Sequence, residues 1–219
     1  MARVMTDRAS AIPALAEAFR EHGFEGASVA RLSAATGLGR GSLYNFFPGG
    51  KEEMAAAVLA DVDDWFTTRV FRPLRAAASG DPAAIGDMFD AVTGYFRSGR
   101  RVCLQGAFAL GRERDTFAAT IRAYFEQWIA SLAAALAAAG TPREEARAAA
   151  VETVAAIQGG IVLSRALDEP EIFARTVARQ RARVMSALGQ CLCIAFVPEI
   201  FRPGGERAQS FNSPEGFCL

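Results

Sequence analysis

Lysine and histidine are almost absent from this 219-residue chain, which has one of each, Lys51 and His22. No cysteine, serine or carboxylate pair is placed by a motif to work with the single imidazole. The set Cys103, Glu113 and Asp115 makes no recognisable constellation either. We therefore predict that the protein has no catalytic residues and is not an enzyme. Turnover in a broad hydrolase screen would support the alternative, that it is one.

Cysteine is also scarce, since four residues do not make a disulfide framework in so long a chain. The sequence has no pair of CxxC motifs of the kind that binds zinc. Cys191 and Cys193 are close enough to ligate one metal ion, but no histidine lies nearby. We predict that the protein has no metal site and needs no cofactor.

Long hydrophobic runs and net charge are missing as well. Residues 1–20 carry charges throughout, which argues against a signal peptide, and the best membrane candidate, residues 128–139, falls short of the roughly 20 apolar residues that a span needs. The 24 basic residues balance 24 acidic ones, so the surface is not basic as a whole. We expect a cytoplasmic protein without a membrane partner, in which any contact with nucleic acid comes from a local patch.

The sequence is rich in residues that favour helices, and its apolar residues recur at steps of three and four from residue 10 to residue 189. This pattern predicts an all-α body. Asp81-Pro82 and Thr141-Pro142 each place a capping residue before a proline suited to the first helical position, and Glu144 completes a capping box with Thr141. The other predicted helices cover residues 50–72, 142–167 and 170–188, with a further six-turn pattern after Asp115.

Two adjacent glycines, Gly159 and Gly160, lie inside the predicted helix 142–167. Each costs about 1 kcal/mol relative to alanine in a helix interior. A glycine pair with this cost often lets the backbone of another helix come close, but it can also mark a kink in its own helix. The sequence leaves both interpretations open. The segment 190–219 differs from the rest, with three of the four cysteines and three of the nine prolines, and is predicted to be a partly disordered tail.

Residues 28–47, SVARLSAATGLGRGSLYNFF, have the length of a helix-turn-helix. A short helix of about 28–36 and a second of about 40–47 flank a turn at Gly37-Leu38-Gly39, where Gly37 permits the left-handed backbone that a sharp turn needs. The side chains predicted to face inward are Val29, Leu32, Leu38 and Leu43.

The outer face of the second helix then carries side chains of the types that contact nucleic acid: Arg40, Ser42, Tyr44 and Asn45. Arginine binds phosphate or guanine, asparagine pairs with adenine, and serine and tyrosine bind phosphate. Residues 26–51 contain three basic residues and no acidic one, so residues 1–51 carry a net charge of +2 against −2 for the rest. The pattern favours DNA binding, although a helix-turn-helix can also be a plain packing unit in a module that binds only other proteins.

The run SVARLSAATGLGRGSLYNFFPGGKEEM also resembles the DNA-binding domain of the TetR family of one-component transcriptional repressors. Its most specific part is the Gly-small-Leu-Tyr-x-x-Phe motif of residues 41–47, followed by Lys-Glu-Glu. The resemblance covers roughly residues 8–188. It implies a DNA-binding domain in residues 1–50, a ligand-binding and dimerisation domain in residues 51–189, and a homodimer held by the last two helices.

Carried over residue by residue, the resemblance implies how the first domain meets a double-stranded operator. Ser28 would cap the second helix and touch a phosphate, and Arg40 and Asn45 would reach base edges. The residues that would hold the DNA backbone are Ser42, Tyr44 and Lys51, and Gly41 belongs to the same contact set. Lys51 would open the fourth helix, whose N-terminus can address the same phosphate.

A narrower resemblance is to the LmrA/YxaF branch of the family, whose members respond to drug-like or flavonoid molecules and control efflux or detoxification genes. It rests on Phe47-Pro48-Gly49-Gly50-Lys51, on Cys103-Leu104-x-Gly106 and on residues 158–166. The chain departs from the family or branch pattern in three places. Arg100, Arg101 and Val102 do not follow the branch pattern, Asn45-Phe46 stands where relatives commonly carry His or Tyr, and Pro13 falls in the first helix, which we expect to start late with Ser10 as its cap.

Eight of the 21 aromatic residues lie in the middle helices, between residues 89 and 128, where aromatics are usually core but can also line a ligand cavity. Gln105 and Gln158 are candidate hydrogen-bonding groups in otherwise apolar stretches. We therefore predict a small, largely apolar or aromatic effector that lowers operator affinity, with the following candidate ligand-binding residues: Phe89, Gln105, Phe125, Trp128 and Gln158.

Overall fold

The computed structural model describes residues 7–77 and 82–195. Their regular structure is helical and includes no strand, which confirms the all-α prediction. The last helix runs to Ala195, past its predicted end at residue 188 and into the predicted tail 190–219. The predicted cap Asp81 and residues 196–219 of that tail lie outside the described residues. The helices are α1 (Arg8–Gly26), α2 (Val29–Thr36), α3 (Arg40–Phe46), α4 (Gly50–Phe66), α5 (Arg72–Ala76), α6 (Ala83–Tyr95), α7 (Leu104–Leu110), α8 (Ala118–Ala138), α9 (Arg143–Ala166) and α10 (Pro170–Ala195).

Helix α1 begins earlier than we expected from the sequence. Asp7, not Ser10, is its N-cap, and the Asp7 carboxylate accepts a hydrogen bond of 2.7 Å from the Ser10 backbone N–H while the Ser10 side chain completes a capping box. Pro13 therefore lies inside the helix, beyond its first turn, and removes one helical hydrogen bond. Because Ala9, four residues earlier, is exposed, water can bond to the carbonyl that Pro13 leaves.

The predicted helix 50–72 is interrupted near its end. Helix α4 stops at Phe66, a π-helical turn covers Thr67–Phe71, and α5 begins at Arg72. Pro73 accounts for the interruption, because it has no N–H for the helical ladder and its ring crowds the carbonyl of residue 69. The wider π turn keeps the chain helical while it passes from the first three helices to the rest of the molecule.

The predicted capping box at Thr141 is wrong, because the backbone of Thr141 ends α8 instead. Gly140, at a φ of +100°, follows α8, and the N–H groups of Gly140 and Thr141 donate to the carbonyls of Ala137 and Leu136, 3.1 Å away in both cases. This Schellman arrangement satisfies the last carbonyls of α8. Helix α9 starts afterwards, with Pro142 as its N-cap and no side-chain capping bond.

Helix α9 runs without a break through Gly159 and Gly160, so the glycine pair does not mark a kink. A Cβ on Gly160 would lie 3.5 Å from the Cα of Phe173 in α10 and 3.6 Å from the Cβ of Thr176, whereas a Cβ on Gly159 would meet nothing within 4 Å. Gly160 thus faces α10 at a distance at which a Cβ would make ordinary van der Waals contact. Helix α9 is long and apolar enough to cross a membrane by length and composition, and it packs against both α8 and α10 while one line of its apolar residues stays exposed.

Aromatic side chains join α1 to the body of the molecule. The ring of Phe24 lies 5.8 Å from that of Phe108 in α7 and 5.7 Å from that of Phe117, and Phe19 lies 6.1 Å from Phe108. All four rings are buried, and contacts of this kind add about 0.5–1.5 kcal/mol each beyond the burial of apolar area. Helix α1 is therefore packed directly on α7 and on Phe117, which precedes α8.

Candidate DNA-binding surface and effector cavity

Helices α2 and α3 form the predicted helix-turn-helix. Ser28 caps α2, with its Oγ accepting a hydrogen bond of 3.3 Å from the Arg31 N–H, and Gly37 adopts the left-handed conformation at a φ of +69°. The Ser33 hydroxyl donates to the carbonyl of Leu38 and fixes the turn between the helices. Leu32 and Leu43 are fully buried, as predicted. Val29 and Leu38 are partly buried against the same core.

Helix α3 presents one continuous polar surface. Leu43 is its buried residue, and each predicted contact residue on the helix is exposed: Arg40, Gly41, Ser42, Tyr44 and Asn45. Tyr44 remains 47% exposed although its ring lies against Gly50 at the start of α4, where a Cβ would come within 3.5 Å. The surface therefore combines a guanidinium, a carboxamide, a hydroxyl and a phenol, which together can contact phosphates and base edges.

Lys51 is held by α1 at the edge of this surface. Its ammonium donates a hydrogen bond of 3.0 Å to the carbonyl of Phe24 and lies 4.4 Å from the centre of the Phe24 ring. The Glu25 carboxylate is 3.9 Å away, and the Lys51 side chain keeps 25% exposure. The residue follows Gly50 at the start of α4, as the sequence predicts, but sequence reasoning missed the contacts with Phe24.

A carboxylate occupies the N-terminus of α4, where the sequence had suggested a phosphate. Glu53 accepts a hydrogen bond of 2.8 Å from the Gly49 N–H and lies 3.0 Å from Arg8. An acidic side chain in the first turn is favourable there because of the helix dipole. A phosphate at this end of α4 must therefore rely on Lys51 and Tyr44 more than on the free N–H groups of the helix.

An apolar cavity of about 700 Å³ opens between α7, α8 and α9. Two of the five predicted ligand residues, Phe125 and Gln158, line it, whereas Phe89, Gln105 and Trp128 are buried in the core and do not line it. Its other lining residues are Val102, Cys103, Gly106, Ala107, Leu110, Gly159, Ile161, Val162, Arg165 and Ala166. Cavities of this size suit a small, largely apolar molecule.

Several polar atoms are buried without a hydrogen-bond partner around this core. They are Gln105 Oε1, Tyr124 Oη, Trp128 Nε1, Ser131 Oγ and Gln158 Nε2. The Cys103 sulfur accepts a bond of 3.4 Å from the Gly106 N–H, and burial raises the pKa of its thiol. Burial also raises the pKa of Tyr124 well above its ordinary value. Both groups are therefore neutral at physiological pH.

A polar link joins α1 to the segment between α6 and α7. Arg20 donates to the carbonyl of Val102 at 3.2 Å and to the Tyr95 hydroxyl at 3.2 Å, and both Arg20 and Arg101 contact Glu17 Oε1 at 2.9 Å. Burial alone raises the pKa of Glu17, but the bond from Arg101 and the charge of Arg20 outweigh it and lower that pKa. Sequence reasoning missed this link. The sequence feature that falls on it is the departure of residues 100–102 from the pattern of the LmrA/YxaF branch.

No group of three metal-ligating side chains occurs in the part of the chain that the structure describes. His22 is partly exposed on α1, with its Nε2 3.9 Å from the Glu21 carboxylate. The sequence analysis found no catalytic constellation in Cys103, Glu113 and Asp115. In the structure Cys103 and Glu113 are buried, while Asp115 is exposed.

Two family models match the chain, together over about two thirds of its length. Residues 12–58 match the model described as bacterial regulatory proteins, tetR family, and residues 83–180 match the model described as transcriptional regulator LmrA/YxaF-like, C-terminal domain. A comparison with curated proteins found no match.

Three solved structures share the fold. A TetR transcriptional regulator from Legionella pneumophila is 22% identical with a TM-score of 0.67, covering 84% of this chain and 99% of that one. A regulatory protein TetR from Rhodobacter sphaeroides is 20% identical with a TM-score of 0.67, covering 81% and 98%. A TetR-family transcriptional regulator from Streptomyces coelicolor is 20% identical with a TM-score of 0.67, covering 83% and 95%.

Proposed function

Because this chain belongs to the TetR family of DNA-binding transcriptional regulators, and is accordingly not an enzyme, we propose that it is a cytoplasmic, ligand-responsive repressor. A small, largely apolar or aromatic effector lowers its affinity for the operator, and its targets are efflux or detoxification genes. The LmrA/YxaF-like match of residues 83–180 supports the proposal about the target genes, because members of that branch control such genes. The alternative of a helical module that binds only proteins loses its support, since family and fold agree on a DNA-binding regulator.

The exposed face of α3 carries this proposal. Arg40 and Asn45 project from a helix whose only fully buried residue is Leu43, so both can reach base edges in a major groove. Ser42 and Tyr44 on the same helix contact the DNA backbone, Gly41 leaves room for close approach, and Ser28 and Lys51 hold phosphates at the two sides. Residues 1–50 are thus the DNA-binding domain.

Residues 51–189 form the effector-binding and dimerisation domain in this proposal. Helix α9 exposes a line of small and apolar residues along its length, which a second subunit would cover: Ala148, Val151, Ala155, Gly159, Val162 and Ala166. A homodimer presents two copies of α3, which meet successive major grooves about 34 Å apart. An effector that prefers a dimer with a different spacing lowers operator affinity, typically by about 1–3 kcal/mol of coupling.

The cavity and the DNA-binding surface are connected by packed side chains. Helix α7 contributes Gly106, Ala107 and Leu110 to the cavity, and it also carries Phe108, whose ring packs against Phe24. The carbonyl and ring of Phe24 in turn hold the ammonium of Lys51. A shift of α7 on effector binding therefore reaches Lys51 through a single aromatic contact.

The test is footprinting on the DNA that flanks the gene of this protein, followed by gel shifts on the protected site. Lys51→Ala should weaken binding to all sequences and reduce the salt slope by about 1, whereas Asn45→Ala should change the sequence preference and cost about 1–3 kcal/mol at its base pair. The exposed Arg122→Gln on α8 serves as a matched control and should leave both properties unchanged.

Absence of a protected site, or gel shifts that neither the Lys51 nor the Asn45 substitution alters, contradicts the assigned surface. If operator binding is intact but no apolar ligand releases the DNA, the repressor assignment stands and the effector part of the proposal is wrong.

A further inference from the structure

The effector cavity shares a wall with a second, arginine-lined cleft. This cleft, of about 260 Å³, lies between α1 and the segment 97–102. Val102 and Arg165 line both spaces. A ligand whose body occupies the apolar cavity can therefore extend one end past Val102 into the cleft.

The lining of the cleft contains more guanidinium groups than carboxylates, and the nearby Asp61 carboxylate adds one further negative charge close to Arg20 and Arg101. The lining includes two carboxylates, Glu17 and Glu21, and five guanidinium groups, from Arg20, Arg97, Arg100, Arg101 and Arg165. Glu17 is shared by Arg20 and Arg101, while Arg97, Arg100 and Arg165 form no ion pair within the described ranges. Guanidinium groups are the side chains best suited to bind carboxylate and phosphate oxygens in pairs of hydrogen bonds.

Unpartnered donors point in the same direction. Arg101 Nε is buried at the cleft without an acceptor, and Gln158 Nε2 is buried at the cavity with no nitrogen or oxygen acceptor, beside the weakly accepting sulfur of Cys103. Both atoms carry N–H groups, so what the two spaces lack is an acceptor. A buried donor left without a partner costs about 1–3 kcal/mol, which an anionic oxygen of the ligand can recover.

The backbone that carries the arginines is held in an uncommon conformation. Arg97 and Ser98 have φ angles of +49° and +53°, and Gly99 follows at +91°. No other residue fits at Gly99, because a Cβ there would lie 2.6 Å from the Cβ of Phe173. Left-handed backbone at non-glycine residues costs about 1–3 kcal/mol each and is concentrated at ligand clamps. The tight packing of Gly99 on Phe173 thus holds the backbone from which Arg97, Arg100 and Arg101 extend.

We propose that the effector is an amphiphilic anion, with its apolar body in the cavity and a carboxylate or comparable oxyanion among Arg100, Arg101 and Arg165. The inference rests on the proposed function, since it takes the cavity as the effector site. It also gives the ligand a direct route to the DNA-binding domain. Arg20 and Glu17 belong to α1, and an oxyanion competes with Glu17 for Arg101, which weakens the contact between α1 and the body.

The experiment compares acids with alcohols of the same body. Binding of decanoate and 1-decanol, and of 2-naphthoate and 2-naphthalenemethanol, is measured by isothermal titration calorimetry on the full chain at pH 7.5. We expect each acid to bind at least about tenfold more tightly than its alcohol, as one charge-assisted contact allows. Arg100→Gln, which changes only the cleft, should remove most of that preference without changing the affinity for the alcohols. Arg165→Gln should lower the ratio of acid to alcohol affinity, although it can also change alcohol binding because Arg165 lines the cavity. The exposed Arg122→Gln should leave the preference intact.

Equal affinities for acid and alcohol in the unmodified protein overturn the inference and leave the cavity as the effector site. An acid preference that survives both Arg100→Gln and Arg165→Gln also overturns it, since the anion then binds elsewhere. If none of the four compounds binds, or if Ala107→Trp, which fills the cavity, changes no affinity, the effector site of the proposed function fails instead. Melting curves and sedimentation of each variant show whether fold and dimer are retained.

Discussion

Lys51, which we propose contacts a phosphate, is held in place by its own protein. Its ammonium has three N–H donors, of which the Phe24 carbonyl accepts one, and the Glu25 carboxylate lies 3.9 Å away. A lysine side chain gives up as much as about 2 kcal/mol of conformational entropy when it is ordered. Because Phe24 already holds Lys51, part of this cost is met in the folded protein before DNA binds.

Cys103 should react slowly with alkylating reagents in the native protein. Its side chain is buried, burial raises the pKa of the thiol, and the reactive thiolate is therefore depleted at pH 8 relative to an unfolded cysteine, whose pKa is about 8.5. We expect the rate of iodoacetamide labelling to fall more than about tenfold below that in denaturant. The measurement is mass spectrometry of the tryptic peptide 102–112, which contains Cys103 as its only cysteine. Equal rates in the two conditions would falsify the buried placement.

At the level of helices, local signals predicted most of the fold. Ser28 caps α2 and Gly37 ends it as expected, because these interactions involve residues only a few positions apart. The caps of α1 and α9 were missed, since Asp7 competes with Ser10 for the first, and Gly140 commits Thr141 to the end of α8. In both cases one residue, Ser10 or Thr141, fits two overlapping capping motifs, and the sequence alone does not show which of the two forms.

The two glycines of α9 should respond oppositely to substitution. Gly159 is helical and a Cβ there meets no atom within 4 Å, so Gly159→Ala should stabilise the protein by about 0.4–1 kcal/mol through the entropy of the unfolded chain. Gly160→Leu drives its side chain into Phe173 and Thr176 of α10 and should destabilise the protein by about 1–3 kcal/mol.

Thermal unfolding of the two variants beside the unmodified chain measures both effects, at about 2–4 °C per kcal/mol for a chain of this size. A loss of stability on Gly159→Ala, or an unchanged melting temperature for Gly160→Leu, contradicts the packing of α9 on α10. Melting at several protein concentrations separates a change within one subunit from a change in association.

Across the whole molecule, the exposed residues of α3 could be predicted and the lining of the cavity only in part. The seven residues of α3 contain one buried side chain, Leu43, so its assignment to the core was enough to leave Arg40 and Asn45 at the surface. The cavity combines helices distant in sequence, and periodicity cannot show which buried aromatic lines it. Phe125 does so and Trp128, one turn later, does not. The link between Glu17 and Arg101 joins residues 84 positions apart and left almost no local signal.

The exposed line of small and apolar residues on α9 predicts how assembly and DNA binding depend on each other. Val151 is 43% exposed on this face, so Val151→Glu places a charge where a second subunit would pack. Burying an unpaired carboxylate costs several kcal/mol, and the variant should sediment as a monomer at concentrations where the unmodified chain is a dimer. With one copy of α3 per molecule, its operator affinity should fall by at least about a hundredfold, because the second half-site no longer benefits from a high effective concentration.

Ala130→Glu adds the same charge to the exposed face of α8 and should remain dimeric and bind the operator normally. A Val151→Glu protein that stays dimeric places the subunit contact on a different face, and a monomer that still binds the full operator tightly shows that the two α3 helices act independently.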